Sequence, residues 1–251
     1  MAKDSRLGVE LLSERIIPKG RGLRVFADLH LHEERPQEIS DFVNTCNSLQ
    51  GGNEDLLILG DLLDAWLGPG TWDMPGVRPL ADALRRLSAS GVAVFLIRGN
   101  RDVLLEEPDG AKVGAQVADV FNWQSTDGQR IAFTHGDLYC VNDRAYQRLR
   151  WFLRLQGVRR LLRSLPLPWR SWLAARLRGK SRAAVARKAL DRLALSTEAA
   201  AADATLRQVG QIWIGHLHLA EVRSLGEGRV LRILPAWEPG DPGVSLSGLL
   251  S

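Results

Sequence analysis

Val25-Phe26-Ala27-Asp28-Leu29-His30 is a short apolar run that ends in a carboxylate and an imidazole two positions apart. Side chains two apart on a strand point the same way, so Asp28 and His30 are expected to leave the strand end toward one point. The construction recurs four times. Leu56 to Leu59 runs into Gly60-Asp61-Leu62-Leu63-Asp64, and Val92 to Ile97 into Gly99-Asn100-Arg101-Asp102. Ile131 to Thr134 runs into His135-Gly136-Asp137, and Ile212 to Ile214 into Gly215-His216-Leu217-His218. Each unit is a strand-like apolar run followed by a side chain of the ligand type. In open α/β sheets the carboxyl ends of the strands gather on one edge, where ligands bind. Seven candidates converge there: Asp28, His30, Asp61, Asn100, His135, His216 and His218. The chain has 5 His, and four stand in this set, so a scatter of structural histidines is a poor account of them.

Helical spacing fills the gaps between the strands. Ile39, Phe42, Val43, Cys46 and Leu49 recur at i, i+3, i+4, with Pro36 near the start and Gly51-Gly52 at the end. Leu80, Ala83, Leu84 and Leu87 form a second stripe, stopped at Gly91. An Ala-rich helix of roughly 15 residues is expected after Leu193, and Val230 to Leu234 reads as a last strand. Thr126-Asp127-Gly128-Gln129 reads as a hairpin turn; residues 103–125 give no clear pattern. Alternating strands and helices indicate an α/β layered fold. Two cysteines, Cys46 and Cys140, lie far apart, which argues against a disulfide framework or a thiolate zinc site and suits a reducing cytosol. Residues 1–22 are charged, lack the apolar run of a secretory signal and read as a flexible or edge-packed extension. Residues 23–251 read as one domain. No uninterrupted apolar stretch approaches the roughly 18 residues of a membrane span.

Residues 144–192 differ from the rest. They hold fifteen Arg and Lys and a single acid, Asp191, so this segment carries +14 of a chain whose net charge is +4, and the remainder sums to −10. Trp151, Phe152, Leu161, Leu162, Trp169 and Trp172 are interleaved with the basic residues. Pro166 and Pro168 are expected to break the segment into two helices, a helical insertion between the fourth and fifth motifs.

Four imidazoles, two carboxylates and an amide are too many ligands for one ion and suit two, with a shared carboxylate. Mixed nitrogen and oxygen donors without thiolate favour Mn²⁺, Fe²⁺ or Zn²⁺. A pair of such ions activates water at neutral pH and neutralises the charge of a phosphoryl transition state, which points to hydrolysis of a phosphate ester or anhydride. Asp64 and Asp102 read either as partners of the ligands or as helix N-caps. His32 has no place in the pattern and reads as solvated.

D-x-H, G-D-x-x-D, G-N, H-G-D and G-H-x-H in this order resemble the calcineurin-like metallophosphoesterase superfamily, over residues 28–218. The resemblance implies a two-sheet β-sandwich flanked by helices. It also implies Asp28, His30, Asp61 and His218 on one metal and Asp61, Asn100, His135 and His216 on the other, with Asp61 bridging. That superfamily usually has His after the Asn; here the residue is Arg101. Arginine cannot donate a proton at working pH, but its planar fork clamps phosphate oxygens.

Gly-Asn-Arg-Asp is similar to the UDP-2,3-diacylglucosamine pyrophosphohydrolases of lipid A synthesis. So are Gly60 to Trp66, His135-Gly136-Asp137 with Cys140, Asp143, Tyr146 and Gln147, and the place of the helical insertion. The implied reaction cleaves a UDP-linked diacylglucosamine into UMP and the acylated sugar 1-phosphate. Asp61, His135 and Arg101 would serve catalysis, and two divalent cations, Mn²⁺ above all, would be the cofactor. Asn100, Arg101, Asp143, Arg178, Ser181, Lys188 and His216 would contact the substrate. Asp143 could instead pair with a nearby Arg. Val185 and Glu238 depart from the subfamily, at positions where it has a substrate-contacting Asn and a His. The insertion is expected to roof the site, its apolar inner face on acyl chains. Its basic residues would rest on an anionic membrane and release it in high salt, placing a monomer at the cytoplasmic face of the inner membrane. Alternatives are a phosphodiesterase or pyrophosphatase on another nucleotide- or lipid-linked substrate, a nuclease following a backbone with its arginines, and a non-catalytic scaffold. No nucleic acid partner is expected, since bulky aliphatics alternate with the basic residues and few aromatics are spaced for stacking bases. A scaffold need not keep seven intact ligands.

Overall fold

The computed structural model describes residues 12–125, 127–185 and 195–246, with 177–185 given as backbone alone. The ligand motifs hang from two sheets. The five-stranded sheet has the order β11-β2-β3-β4-β5, built from β2 (Gly22–Phe26), β3 (Glu54–Ile58), β4 (Val94–Ile97), β5 (Ala115–Ala118) and the short β11 (Val244–Ser245). Strands β2 to β5 run parallel, and β11 closes one edge antiparallel to β2. The six-stranded sheet has the order β1-β6-β7-β8-β10-β9. It contains β1 (Glu14–Ile16), β6 (Val120–Gln124), β7 (Arg130–Thr134), β8 (Gln211–Ile214), β9 (Glu221–Gly226) and β10 (Arg229–Ile233).

The period of two along the strands sorts the core into layers. Val25, Leu57, Phe95 and Ile97 face across to Phe121, Ile131, Phe133 and Trp213 of the other sheet. The residues between them, Phe26, Leu56, Ile58 and Leu96, pack outward on helices α1 (Pro36–Leu49) and α2 (Arg78–Ala89) through Phe42, Cys46, Leu80 and Leu84. On the far side Ala132, Ile212, Ile214 and Leu231 pack on Ala200 and Ala204 of the Ala-rich helix. Strands covered on both faces explain why the sequence shows continuous apolar runs rather than alternation. The fold is therefore α/β, a two-sheet sandwich with helices on both outer faces, as expected. The Ala-rich helix runs Thr197–Arg207, shorter than expected: Ser196 caps its start, accepting from Ala199 N, and Gln208 in a left-handed conformation ends it. The unreadable stretch 103–125 holds a five-residue helix, α3 (Glu107–Ala111), then β5 and β6.

Among its described residues the insertion forms three helices where two were expected: α4 (Arg144–Arg154), α5 (Gln156–Ser164) and α6 (Leu167–Val185), which makes the Ala-rich helix α7. Beside the break at the prolines there is a second one at Leu155, whose ψ of 127° is extended. Its orientation also departs from the expectation. Arg150 and Arg154 are buried, while Trp151, Phe152, Leu161, Trp169 and Trp172 are exposed. Arg150 Nε donates to Asp137 Oδ2 at 2.8 Å, and Arg154 bonds Asp119. Asp119 is a hub. It also accepts from Arg98 at 2.7 and 3.1 Å and from the backbone and hydroxyl of Ser13 at 2.8 and 2.9 Å, just ahead of β1.

Burial alone would raise the Asp119 carboxyl, but the Arg154 and Arg98 guanidiniums outweigh it and hold the group well below the usual carboxylate range. Such a group stabilises the fold fully above about pH 4, and that contribution is lost as pH falls through its folded value. Asp119→Asn should cost about 3–5 kcal/mol at pH 7, the cost of leaving buried charge unpaired. In denaturant melts the gap from the parent should narrow between about pH 4 and pH 2. A gap that stays constant over that range would show that the charge of Asp119 is not what stabilises.

Candidate metal centre

The five motifs do meet at the carboxyl ends of the strands, but not by strand alternation. Strand β2 ends at Phe26, and Asp28 and His30 lie past it with φ of 51° and 47°. Asp61 (φ 53°), His216 (φ 67°) and His218 (φ 55°) share this left-handed conformation, so among the described residues five of the seven non-glycine residues with positive φ are candidate ligands. Such backbone is costly for a residue with a Cβ and persists where surroundings impose it, most often at functional sites. Here the surroundings are neighbouring loops. His30 N donates to Asp61 O at 2.8 Å, and Gly215 N to His135 O at 3.1 Å.

Two glycines explain why the motifs read G-N and G-H. A Cβ on Gly99 would stand 2.1 Å from Asp61 Oδ1, and one on Gly215 2.5 Å from Asp28 Oδ2. Any side chain at either position would displace a carboxylate of the site.

Two clusters result. In the first, the Nε2 atoms of His30 and His218 face each other at 3.2 Å, with Asp61 Oδ2 3.8 Å from His30 and Asp28 Oδ1 3.9 Å from His218. In the second, Asn100 Oδ1 lies 2.9 Å from His135 Nε2 and 3.1 Å from His216 Nδ1, and Asp61 Oδ1 lies 3.7 Å from His135 Nε2. Asp61 thus turns one oxygen to each cluster. Asp28 also comes within 3.8 Å of His135, but on Nδ1, the nitrogen that donates to Leu59 O at 2.9 Å. That bond leaves Nε2 as the nitrogen facing the centre, the usual way a ligating imidazole is oriented. Asp28 therefore belongs with His30 and His218.

The donor set fits divalent cations. Among the described residues, Asp28, His30 and His218, and likewise Asp28, Asp61 and His135, offer ligand atoms within 4.8 Å of one another. Opposed imidazole nitrogens beside buried carboxylates are poorly satisfied by each other and well satisfied by a cation between them. The ion-free electrostatics agree. Burial would depress the His135 imidazole, but Asp61 and Asp28 outweigh it and raise it to about 9. Burial opposes ionisation of Asp61, yet His135 and His30 hold its carboxyl below its ordinary value. The pocket thus draws positive charge to itself. His30 is lowered, by burial first and also by the Arg101 guanidinium, against the pull of Asp61.

Asp102 is not an N-cap. Its buried carboxylate accepts from Gly99 N and Leu62 N and so staples the second and third motif loops; burial and the Asp61 charge push it up to about 6. Asp64 acts on the His30 imidazole electrostatically. Asp143 caps α4, accepting from Tyr146 N at 2.9 Å, rather than pairing with Arg. Side chains of Arg178 and Ser181, and the whole of Lys188, lie outside the described residues.

Sequence reasoning missed two supports. Arg35 Nη2 donates to His30 O at 2.7 Å. Tyr146 stacks on His216 with ring centroids 6.3 Å apart while its hydroxyl donates to Asp137 at 2.9 Å. The sequence marked Tyr146 only through the resemblance, without a role, and the Asp of H-G-D turns out to anchor the insertion.

No family model matches the chain. It is 33% identical over 217 residues to a UDP-2,3-diacylglucosamine hydrolase of Pseudomonas putida, covering 85% of this chain and 90% of that protein. A protein of the same name from Salmonella arizonae is 33% identical over 214 residues, with 84% and 89% covered, and one from Pseudomonas fluorescens is 34% identical over 204 residues, with 81% and 82% covered. Among solved structures, a predicted phosphoesterase from Streptococcus pneumoniae overlaps 88% of this chain and 75% of its own at 13% identity and a TM-score of 0.36, too loose a likeness to bear on fold or function. Identity of one third over nearly the full length of several such proteins, together with the two facing clusters, makes this chain a member of the UDP-2,3-diacylglucosamine hydrolase family.

Proposed function

We propose that the chain is a metal-dependent hydrolase of UDP-2,3-diacylglucosamine, splitting its pyrophosphate into UMP and 2,3-diacylglucosamine 1-phosphate in lipid A biosynthesis. The observation that carries this is Asp61, with one oxygen toward each of two histidine clusters, in a chain whose relatives bear that activity in their names. Asp28, His30, Asp61 and His218 would hold one divalent cation, and Asp61, Asn100, His135 and His216 the other. Nitrogen and oxygen donors without thiolate suit Mn²⁺. Two cations there supply an activated water and neutralise charge on the phosphoryl oxygens.

The chain's own residues do the rest. Arg101 clamps the pyrophosphate with a planar fork and takes up charge that grows in the transition state. Asn100 and His216 border the same space. Leu59 O fixes the His135 ring, and Asp102 fixes the loops carrying Asp61 and Asn100. Asp143, Arg178, Ser181 and Lys188 would meet the nucleotide-sugar head. Water adds to the α-phosphorus, so the bond to the sugar-side phosphate breaks. No nuclease role is proposed, because Arg150, Arg154, Arg163 and Arg170 face protein partners rather than a groove for a nucleic-acid backbone. The test is to offer the Mn²⁺-loaded protein UDP-2,3-diacylglucosamine, bis-p-nitrophenyl phosphate and single-stranded DNA in parallel. UMP release from the first, outrunning turnover of the others, is expected; preferential cleavage of DNA would overturn the proposal.

The same proposal places a monomer on the cytoplasmic face of the inner membrane. No helix among the described residues is long and apolar enough to cross a bilayer, but the outer face of the insertion suits its surface. It shows Trp151, Phe152, Leu161, Trp169 and Trp172 beside the exposed Arg144, Arg148, Arg160 and Arg176. This changes the expected binding mode. Among the described residues Arg150, Arg154, Arg159, Arg163 and Arg170 are turned at least partly inward, so apolar insertion by the tryptophans should dominate over the charge that remains outside. In sedimentation with anionic vesicles, high salt should release the parent only in part, while Trp169→Ala with Trp172→Ala should abolish most binding at any salt. A double variant that pellets like the parent would contradict this.

A further inference from the structure

Helices α5 and α6 have an unusual hold on the body. After the break at Leu155, no residue of α5 is buried, and Leu161, Leu167, Trp169 and Trp172 face outward. The grip is made by arginines instead. Arg163 bonds both Asp109 oxygens and Leu104 O, and its Nε lies 3.6 Å from Glu106. Arg159 reaches Glu106 at 3.7 Å, and Arg170 Nη1 donates to the carbonyls of Leu67 and Pro69. Leu104 to Asp109 follow the Asn100-Arg101 motif in the chain, and Leu67 and Pro69 follow the Asp61 motif. The arginines thus dock α5 and α6 on the two loops that run out of the metal centre.

That docking closes a cavity. Ser171 and Ala175 of α6 form one wall of a space of about 360 Å³ whose other walls set Leu31, Leu63 and Met74 beside the polar Glu33, Glu34 and Thr71. Leu31 and Leu63 follow His30 and Asp61 in the chain, so the space lies against the loops that carry two of the candidate ligands. Without α6 the same residues would be an open step, apolar along Leu31, Leu63 and Met74 and polar along Glu33, Glu34 and Thr71. Helix α4 needs no such help, because Arg150 and Arg154 pair with buried Asp137 and Asp119.

We propose that Arg163 is a positioning residue for the lipid-linked substrate: its clamp on Asp109 and Glu106 holds α5 and α6 over the cavity beside the metal centre. The proposal rests on the reading above that the substrate carries acyl chains. Arg163 contributes most of the clamp. Its side chain is only 12% exposed and that of Asp109 3%, so bulk solvent screens the pair little. Its bonds go to Leu104, Glu106 and Asp109 and to none of the candidate ligands, so its loss should leave the chemistry intact and weaken substrate capture.

The experiment compares the Mn²⁺-loaded full-length parent with Arg163→Gln and Arg163→Lys. For Arg163→Gln the KM for UDP-2,3-diacylglucosamine should rise about tenfold, the scale of one lost charge-assisted hydrogen bond. Its kcat should hold, as should turnover of bis-p-nitrophenyl phosphate, which is too small to need the roof. Lysine keeps the charge without the fork and should restore part of the loss. Amide exchange over residues 156–176 should be faster in Arg163→Gln, with no change in β4 or β7. An unmoved KM, or an equal fall on both substrates, overturns the proposal, the second by showing general damage. If the parent releases no UMP at all, the function proposed above fails, and exchange over 156–176 still decides the clamp: unchanged exchange overturns it, faster exchange upholds it.

Discussion

Asp61→Asn should lose most of the bound metal and at least about 10³ in kcat/KM together, the scale of several kcal/mol of transition-state charge stabilisation. The argument is geometric. Asp61 is 2% exposed and turns Oδ2 to His30 at 3.8 Å and Oδ1 to His135 at 3.7 Å. Among the described residues it is the carboxylate that faces both clusters through histidine Nε2 atoms. An amide keeps the shape but lacks the charge that holds two dications close together. It also keeps an oxygen for the Arg101 N–H, now 2.9 Å from Oδ1, so the fold should survive and melting should show it. Metal per chain, measured by elemental analysis, and turnover should fall in step. EDTA should inactivate the parent, and Mn²⁺ should restore it better than Mg²⁺. A folded Asp61→Asn protein with near-normal turnover would end the shared-carboxylate account.

Arg101→Ala should lower kcat/KM by roughly 10²–10³, the usual cost of removing one transition-state donor, with metal content intact. The two halves of the residue can be separated. Its backbone N–H donates to Asp61 and its carbonyl accepts from Trp66 N at 3.0 Å, and both survive truncation at Cβ. Only the guanidinium is lost, and its charge lies close enough to His30 to help depress that imidazole. Lysine should rescue poorly, since an ammonium lacks the bidentate fork. Steady-state kinetics on the lipid-linked substrate check this; full activity in Arg101→Ala would leave the side chain without a role in the reaction.

The convergence of the candidate ligands was legible because its signals are local. An apolar strand followed by Gly-Asp, Gly-Asn or Gly-His can be read without knowing the sheet order, and all seven candidates do converge. The reason for the convergence was not legible. It comes from left-handed backbone at Asp28, His30, Asp61, His216 and His218, which neighbouring loops impose and no single stretch encodes. Strand β9, Glu221–Gly226, was missed because it is a partly exposed edge with only Val222 and Leu225 as apolar side chains, and β5 because four residues carry little period. The insertion misled in a different way. An amphipathic helix with an arginine stripe and a tryptophan stripe has two faces that could point inward. The choice between them was made by Asp109, Asp119 and Asp137, acids separated in sequence from the helices they receive. Burial of a charged stripe is decided by its partners, and those partners are a property of the fold.

The most direct test of the two-cation pyrophosphatase account is one reaction in ¹⁸O-labelled water. The Mn²⁺-loaded protein is given UDP-2,3-diacylglucosamine and the products are weighed by mass spectrometry. The account predicts UMP and 2,3-diacylglucosamine 1-phosphate, with the label in UMP and no turnover by Asp61→Asn. Label in the sugar phosphate would move the attack to the other phosphorus; UDP as the product, or an intact substrate, would contradict the assigned reaction.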